Sequence, residues 1–295
     1  MTASKKTAKQ KTAKLLDVSD LHCVFQIEKA TSGTPNRAQI DIYNLSRTIT
    51  AGIRVGDMVI VEAGYVKGNY GMIYRGEVAQ LFTTRDGTDD ILTLICNDSD
   101  KLLTKTFVTK ALSKGSTIGD VINACIDASD DDVTIGDIPT AVSESKLARG
   151  KVVFGDASTL LSNAAKKVGG QYYVEDGKLS IATAKSYSKR AVELNPYSGL
   201  INSPSQTDKG IQCECLLNPS IKLNTRIYVD VGLVTAAKAS TGAVKKMNSG
   251  GVYRVVKIVY AGDTRGEAWQ CKIEAVAEAG TKVAGVYDDE DCPWR

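Results

Sequence analysis

The sequence predicts a mainly β fold with an α/β insertion, an α+β chain built as two β-barrels around a small mixed module. Three observations carry this reading. Short runs rich in Val, Ile, Tyr and Phe, broken by turn residues, fill the first and last thirds of the chain. Helical periodicity is confined to the middle. The motifs of the first β region recur in the same order in the second. Strands are read from apolar alternation with period two, and helices from apolar residues three and four apart.

Residues 1–16 form a basic arm, with Lys5, Lys6, Lys9, Lys11 and Lys14 and no acid before Asp17. Such a composition reads as a solvated segment, or as one that orders against an acidic neighbour or a nucleic-acid backbone. Residues 17–105 make the first barrel. Its strands are "HCVFQIEK", "AQIDIYN", "DMVIVEAGY", "GMIYRGEVAQLF" and "DILTLICND", separated by "SGTPN", "VKGN" and "TRDGTDD". Short strands at this spacing suit a barrel or a sandwich. Residues 106–188 are the inserted α/β module. One helix puts Ile118, Val121, Ile122 and Cys125 on one face behind a Ser116/Thr117 cap. A second stripes Leu160, Leu161, Ala164, Ala165 and Val168 behind Asp156 or Ser158 and stops at Gly169-Gly170. "QYYVEDGKLSIAT" then reads as a hairpin turning at Asp176-Gly177. Residues 189–280 return to β with "IQCECLL", "TRIYVDVG", "GVYRVVKIVYAG" and "AWQCKIEAVAE", and residues 281–295 are an acidic tail.

The two β regions echo each other. "QIDIYNLS" parallels "QCECLLNPS", "VGDMVIVEAGY" parallels "NTRIYVDVG", and "GMIYRGEVAQLF" parallels "GVYRVVKIVYAG". We read a duplicated barrel with the module inserted between the copies. Such a chain, as a trimer, presents a ring with six-fold-like symmetry that can meet a hexamer face to face.

Composition excludes several function classes. The 37 basic and 34 acidic residues leave a formal charge of +3, which gives no argument for a dedicated nucleic-acid binder. No apolar run reaches the roughly 20 residues of a membrane span, and the N-terminus lacks the apolar core of a secretory signal. Seven cysteines in such a sequence suggest reduced thiols rather than a disulfide framework. Cys213 and Cys215 share a strand face with Ile211 and Leu217, so they read as core residues, ahead of a metal or redox pair. The remaining cysteines are scattered singly and His22 is the only histidine, which is unlike a zinc site or a His-based nucleophilic centre. Asp130, Asp131 and Asp132 lack the spacing of a calcium loop. "GYVKGNYG" has no Gly-Lys-Ser/Thr, so it is no phosphate-binding loop. No catalytic, cofactor or metal residue is selected, and the chain reads as non-enzymatic.

"YNLSRTITAGIRVGDMVIVEAGY" with "GMIYRGEVAQLFTTRDGTDDILTLICND" resembles the opening barrel of contractile-tail phage baseplate hub proteins, the central hubs of T-even and Mu-like phages. "SGLINSPSQTDKGIQCECLLNPSIKLNTRIYVDV" and "GGVYRVVKIVYAGDTRGEAWQCKIEAV" resemble the family's second barrel, and the likeness spans roughly residues 17–278. It implies two tube-protein-like barrels per chain and a homotrimeric adaptor between the hexameric tail tube and the trimeric central spike. It also implies neighbouring baseplate proteins as partners, passage of genomic DNA without specific binding, and a place in the virion after assembly in the bacterial cytoplasm.

Two loops are then candidate contacts with the adjoining ring: Tyr65, Lys67, Asn69 and Tyr70 in the first barrel, and Lys238, Lys245, Lys246 and Met247 in the second. Glu62, Glu77 and Glu214 are candidate lumen acids, since a basic lumen would retain DNA. The competing readings are a tail-associated cell-wall hydrolase, for which the chain has no spare length, and another β-barrel tube or adaptor protein. An oligonucleotide-binding barrel using Tyr70, Tyr74 and Arg75 is a third.

Overall fold

A computed structural model describes residues 16–65, 68–183, 191–207, 210–229 and 251–277. Residues 1–15 of the basic arm, the acidic tail, Lys67, Lys238, Lys245, Lys246 and Met247 lie outside the described residues. In chain order the elements are β1 (Cys23–Ala30), β2 (Arg37–Tyr43), α1 (Arg47–Thr50), β3 (Met58–Gly64), β4 (Tyr70–Asp86) and β5 (Asp89–Asn97). A π-helical turn, Lys101–Lys105, leads to β6 (Phe107–Leu112), α2 (Ile118–Asp127), β7 (Thr134–Ile135), α3 (Thr140–Ser143), β8 (Lys151–Asp156) and α4 (Ala157–Lys166). Then come β9 (Gly170–Glu175), β10 (Lys178–Thr183), β11 (Ala191–Leu194), β12 (Ser205–Gln206), β13 (Gly210–Leu216), β14 (Arg226–Val229), β15 (Gly251–Asp263) and β16 (Trp269–Ala277).

The protein is mainly β. Its large sheet runs β12-β13-β16-β15-β1-β2-β5-β4-β3, with β14 on β15 and β11 on β14. The path is open, ending at β3 and β12, so its eleven strands form one continuous sheet rather than closed barrels, while β7-β10-β9 and β6-β8 make two small separate sheets. Within it the same strand path occurs twice. Order β2-β5-β4-β3 in the first half matches β13-β16-β15-β14 in the second. The match extends to irregularities: the β4–β5 register shifts between Val78 and Gln80, and the β15–β16 register between Val255 and Lys257. The motif echo in the sequence is therefore an echo of topology. β1 belongs to neither path. It pairs with β15 on one side and β2 on the other, and so joins the halves.

Apolar faces decide the packing. Phe25 and Ile27 of β1, Ile40 and Ile42 of β2, Cys213 and Cys215 of β13, and Ile273 of β16 are buried in one cluster spanning both halves. Period-two alternation places each set on a single strand face. A second cluster gathers Leu102, Ile122, Cys125, Val153, Leu161, Val174 and Leu179 beneath α2 and α4. α2 starts with a reciprocal capping box between Thr117 and Asp120, which satisfies two otherwise orphaned amides. The β9–β10 hairpin turns at Asp176-Gly177, both in the left-handed region at φ 53° and 75°, as a two-residue turn requires.

Candidate functional site

The β3–β4 turn is the first place where predicted site residues meet. Gly64 sits at φ 148°, and a Cβ there would lie 2.0 Å from the Asn69 carbonyl oxygen, so only glycine lets the strands close. The Tyr65 amide donates to that carbonyl at 3.1 Å. The Tyr70 hydroxyl, on a side chain 63% exposed, donates to Glu62 Oε2 at 3.2 Å. Tyr65 is partly covered, and burial, then the nearby Cys271 and Cys215 thiols, hold its hydroxyl above the usual phenol range. A Cβ on Gly71 would meet the Pro219 ring at 3.8 Å, so the turn reaches the segment after β13 in the other half.

The three predicted acids do not form one site. Glu62 is exposed beside Tyr70. Glu77, opposite Met58 and several residues further along the same hairpin, is gripped by Lys101 Nζ at 2.7 and 2.6 Å. Glu214, on β13, accepts from Asn202 Nδ2 at 3.0 Å and faces Lys272 at 3.6 Å. Two of the three are thus neutralised locally. Tyr74 is fully buried and Arg75 is bound to Asp132 at 2.6 Å, so neither joins Tyr70 as a base-stacking platform.

Cys213 and Cys215 are buried free thiols on the core face with Ile211 and Leu217. Cys215 lies opposite Cys271 in the β13–β16 ladder. Burial, with Cys215 beside it, pushes the Cys213 thiol up to about 12, so it stays protonated and unreactive at neutral pH.

Sequence reasoning missed the most buried polar constellation. Lys29, with no exposed surface, donates to Asp176 at 2.8 Å and Glu175 at 3.2 Å. Lys222, from the second half, reaches Asp176 at 2.6 Å. Asn36 bridges Asp98 at 3.3 Å and the Val174 carbonyl at 2.6 Å, and the Asp176 amide donates to Asp98 at 3.2 Å. Burial disfavours the Lys29 ammonium, but Glu175 and Asp176 outweigh it and its pKa is raised. Burial likewise works against the Asp176 carboxylate, but Lys29 and Lys222 outweigh it and its pKa is lowered. For Glu175 burial prevails over Lys29 and the pKa is raised. The cluster ties the β9–β10 hairpin to both halves of the large sheet. Beside it lies a cavity of about 510 Å³ lined by Met72, Tyr173, Asp176, Lys178, Lys222 and Thr225, among others. Lys29, Lys222, Glu175 and Asp176 are paired with one another, a pattern that fixes the hairpin against the sheet.

The family model described as Baseplate hub gp41 matches residues 50–236. Three solved structures are similar in fold. A tail protein from Neisseria meningitidis MC58 is 11% identical, with a TM-score of 0.57 over 90% of this chain and 94% of that one. The 43 kDa tail protein of prophage MuSo2 from Shewanella oneidensis is 11% identical, with a TM-score of 0.55 over 89% and 96%. The E. coli c3393 protein is 9% identical, with a TM-score of 0.58 over 93% and 77%. It is described as a component of the type VI secretion system, structurally similar to the T4 bacteriophage tail proteins gp27 and gp5. No curated protein matches the sequence.

Proposed function

Because the chain belongs to the Baseplate hub gp41 family, we propose that it is a structural, non-catalytic hub of a phage tail. Three copies form a ring with pseudo-six-fold symmetry, joining the hexameric tail tube to a trimeric spike and bordering the DNA passage. The observation that carries this reading is the repeated strand path, β2-β5-β4-β3 and β13-β16-β15-β14, which gives each chain two similar units. Three chains then supply six similar units around one axis, as a match to a hexamer demands. We take residues 17–105 and 189–280 as the tube-protein-like units and 106–188 as the insert; the second apolar cluster, drawn from residues 102–181, supports a separate core near the insert, with Leu102 and Leu103 joining it from before residue 106.

Tyr65, Asn69 and Tyr70, on an exposed turn, with residues 236–248 of the second half, contact the adjoining ring. Glu62, Glu77 and Glu214 border the passage. The lysines on Glu77 and Glu214 leave it close to neutral, which suits a polyanion that must pass without being held. Assembly takes place in the host cytoplasm and the product resides in the virion baseplate.

Native mass of the purified protein tests the reading: a trimer is expected, and a monomer or a hexamer of this chain overturns it. Removing residues 236–248 should leave the trimer intact while abolishing attachment to tube or spike. Normal incorporation of the trimmed chain into tails removes that loop from the interface.

A further inference from the structure

The two strand paths align residue by residue at their register shifts, Val78 with Val255 and Gln80 with Lys257. The backbone bonds agree. In the first half the Gly56 amide donates to the Val78 carbonyl and the Val78 amide to that of Asp57. In the second half the Asn224 amide donates to the Val255 carbonyl and the Val255 amide to that of Thr225. Residues 80–86 of β4 are therefore the counterpart of residues 257–263 of β15.

The counterparts differ in what lies beside them. On the flank of β15 that carries β14 over residues 251–254, β1 fills the remainder over 257–263. On the matching flank of β4, β3 stops pairing at Glu77, and no described strand pairs with residues 80–86 beyond it. Burial follows the pairing. Ile258 and Tyr260, beside β1, have no exposed surface, whereas their counterparts are partly covered (Leu81) and exposed (Thr83). The stretch "QLFTTRD" has no proline, glycine or lysine to blunt it, so its unpaired backbone groups are a template for another strand.

The strand that fits stands at the other end of the sheet. The ladders align β13 with β2, Cys213 on Ile273 on Ile258 matching Ile40 on Leu94 on Leu81. On that alignment β12 lies on β13 as β1 lies on β2. Ser205 opposes Gln212 and Gln206 opposes Ile211, where Gln26 opposes Gln39 and Ile27 opposes Ala38. Yet β1 is paired on both sides, while β12 pairs with β13 alone among the described strands. Within one chain β12 and the open flank of β4 do not pair, so the occupant is the β12 of a second copy.

We propose that β12 of one copy adds to residues 80–86 of β4 in the next, repeating between chains the junction that β1 makes on β15 within the chain. The repeat also sets the register. Gln26 opposes Ala261 and Ile27 opposes Tyr260, so Ser205 opposes Thr84 and Gln206 opposes Thr83 of the next copy. Hydroxyl and amide side chains then face each other across the junction, a favourable cross-strand pairing. Each copy gives one edge and accepts one, a head-to-tail contact that closes into a ring when the rotation allows. The proposal deepens the hub reading and rests on it only for the number of copies.

The test is paired-cysteine crosslinking in the full chain carrying Cys292→Ser, since the other six cysteines are buried. One variant combines Ser205→Cys with Thr84→Cys, and another Gln206→Cys with Thr83→Cys. None of the four positions is buried, so the replacements leave the core untouched, and either pair carries the test if the other disturbs folding. After mild oxidation or a short bismaleimide, denatured species of two and three times the chain mass are expected. A pair two residues out of register, Ser205→Cys with Asp86→Cys, should crosslink several-fold less. Three results overturn the proposal: no crosslink between chains from either pair in protein of parental native mass, an equal yield from the shifted pair, or a link confined to one chain. A trimeric parent without the crosslink sinks this junction and leaves the hub reading standing. A hexameric parent with the register-specific crosslink upholds the junction and sinks the count of three, and a monomeric parent without it overturns both.

Discussion

Replacing Lys29 with Met removes a cation that has no exposed surface and holds two carboxylates, Asp176 at 2.8 Å and Glu175 at 3.2 Å. Lys222 remains, but it touches Asp176 and stands partly in solvent, so Glu175 loses its ammonium partner. Truncating one member of a buried ion pair costs about 3–5 kcal/mol, because the other member stays buried and uncompensated. We expect a loss in that range by urea denaturation at pH 7. Amide hydrogen exchange should accelerate at Asp176, whose amide is held by Asp98, and at Leu223, whose amide is held by Glu175. The pH dependence has a definite sign. In the parent, Asp176 has a depressed pKa, so its contribution is present above about 3.9 and is lost as pH falls through the folded value. In the variant Glu175 has lost the cation that most opposed burial, so its carboxyl is pushed further up, and the deficit is full at neutral pH and shrinks as pH falls towards 5. Adding Glu175→Gln should recover much of the loss, since Asp176 keeps Lys222 and no unpaired charge then remains buried. A cost below about 1 kcal/mol, or a deficit constant from pH 5 to 8, would refute the reasoning.

Two further outcomes follow from the geometry. Cys213→Ala should cost about 1 kcal/mol, whereas Cys213→Asp should cost roughly 2 kcal/mol or more for a buried polar group without a partner, as read by urea midpoints. In the native protein the Cys213 thiol should resist iodoacetamide at pH 8 and react only on unfolding, and rapid native labelling would contradict its core position. Gly64→Ala should cost about 1–3 kcal/mol, because φ 148° and the Asn69 carbonyl exclude a Cβ. An alanine variant as stable as the parent would show that the turn is not so constrained.

What the sequence disclosed followed physical range. Period-two alternation marks β1, β2, β13 and β16 because each buries one face, whereas β5, buried on both faces from Leu92 to Cys96, reads instead as a continuous apolar run. Asp176-Gly177 marks a hairpin because a two-residue turn needs left-handed backbone at both positions. The β6–β8 ribbon carried no such signal: Phe107 and Phe154 are outward, so its apolar pattern is inverted and reads as noise until both strands are seen together. The hairpin β4 runs on to Asp86 through the polar stretch "TTRD", where solvent on the exposed side erases the apolar pattern. Separate barrels were expected, yet the strands follow one open path, since β1 pairs across what the motif echo suggests is a boundary. The Lys29 cluster was out of reach for another reason: its partners are 146 and 147 residues away. One local clue existed. Lys29 shares the strand face of Cys23, Phe25 and Ile27, so alternation alone places a lysine where only a paired charge can sit.

That placement links the two features of the fold that the repeat does not explain. The two strand paths are topologically equivalent, and β1 is outside both, yet β1 alone bonds to a strand of each. Lys29, one residue from its end, also anchors the β9–β10 hairpin, with Lys222 of the second half completing the clamp. A duplicated sheet with no joining strand would leave its halves free to choose their relative angle, and an insert fixed to only one half would follow that half alone. Here one strand sets the register of both halves through 13 paired positions, seven to β15 and six to β2, and its buried lysine fixes the hairpin against the same frame. Hydrophobic burial gives the sheet its cohesion. The paired charges, whose net stabilising value is small, supply direction instead, because a hairpin misplaced by a few ångströms would leave Glu175 and Asp176 buried without a cation.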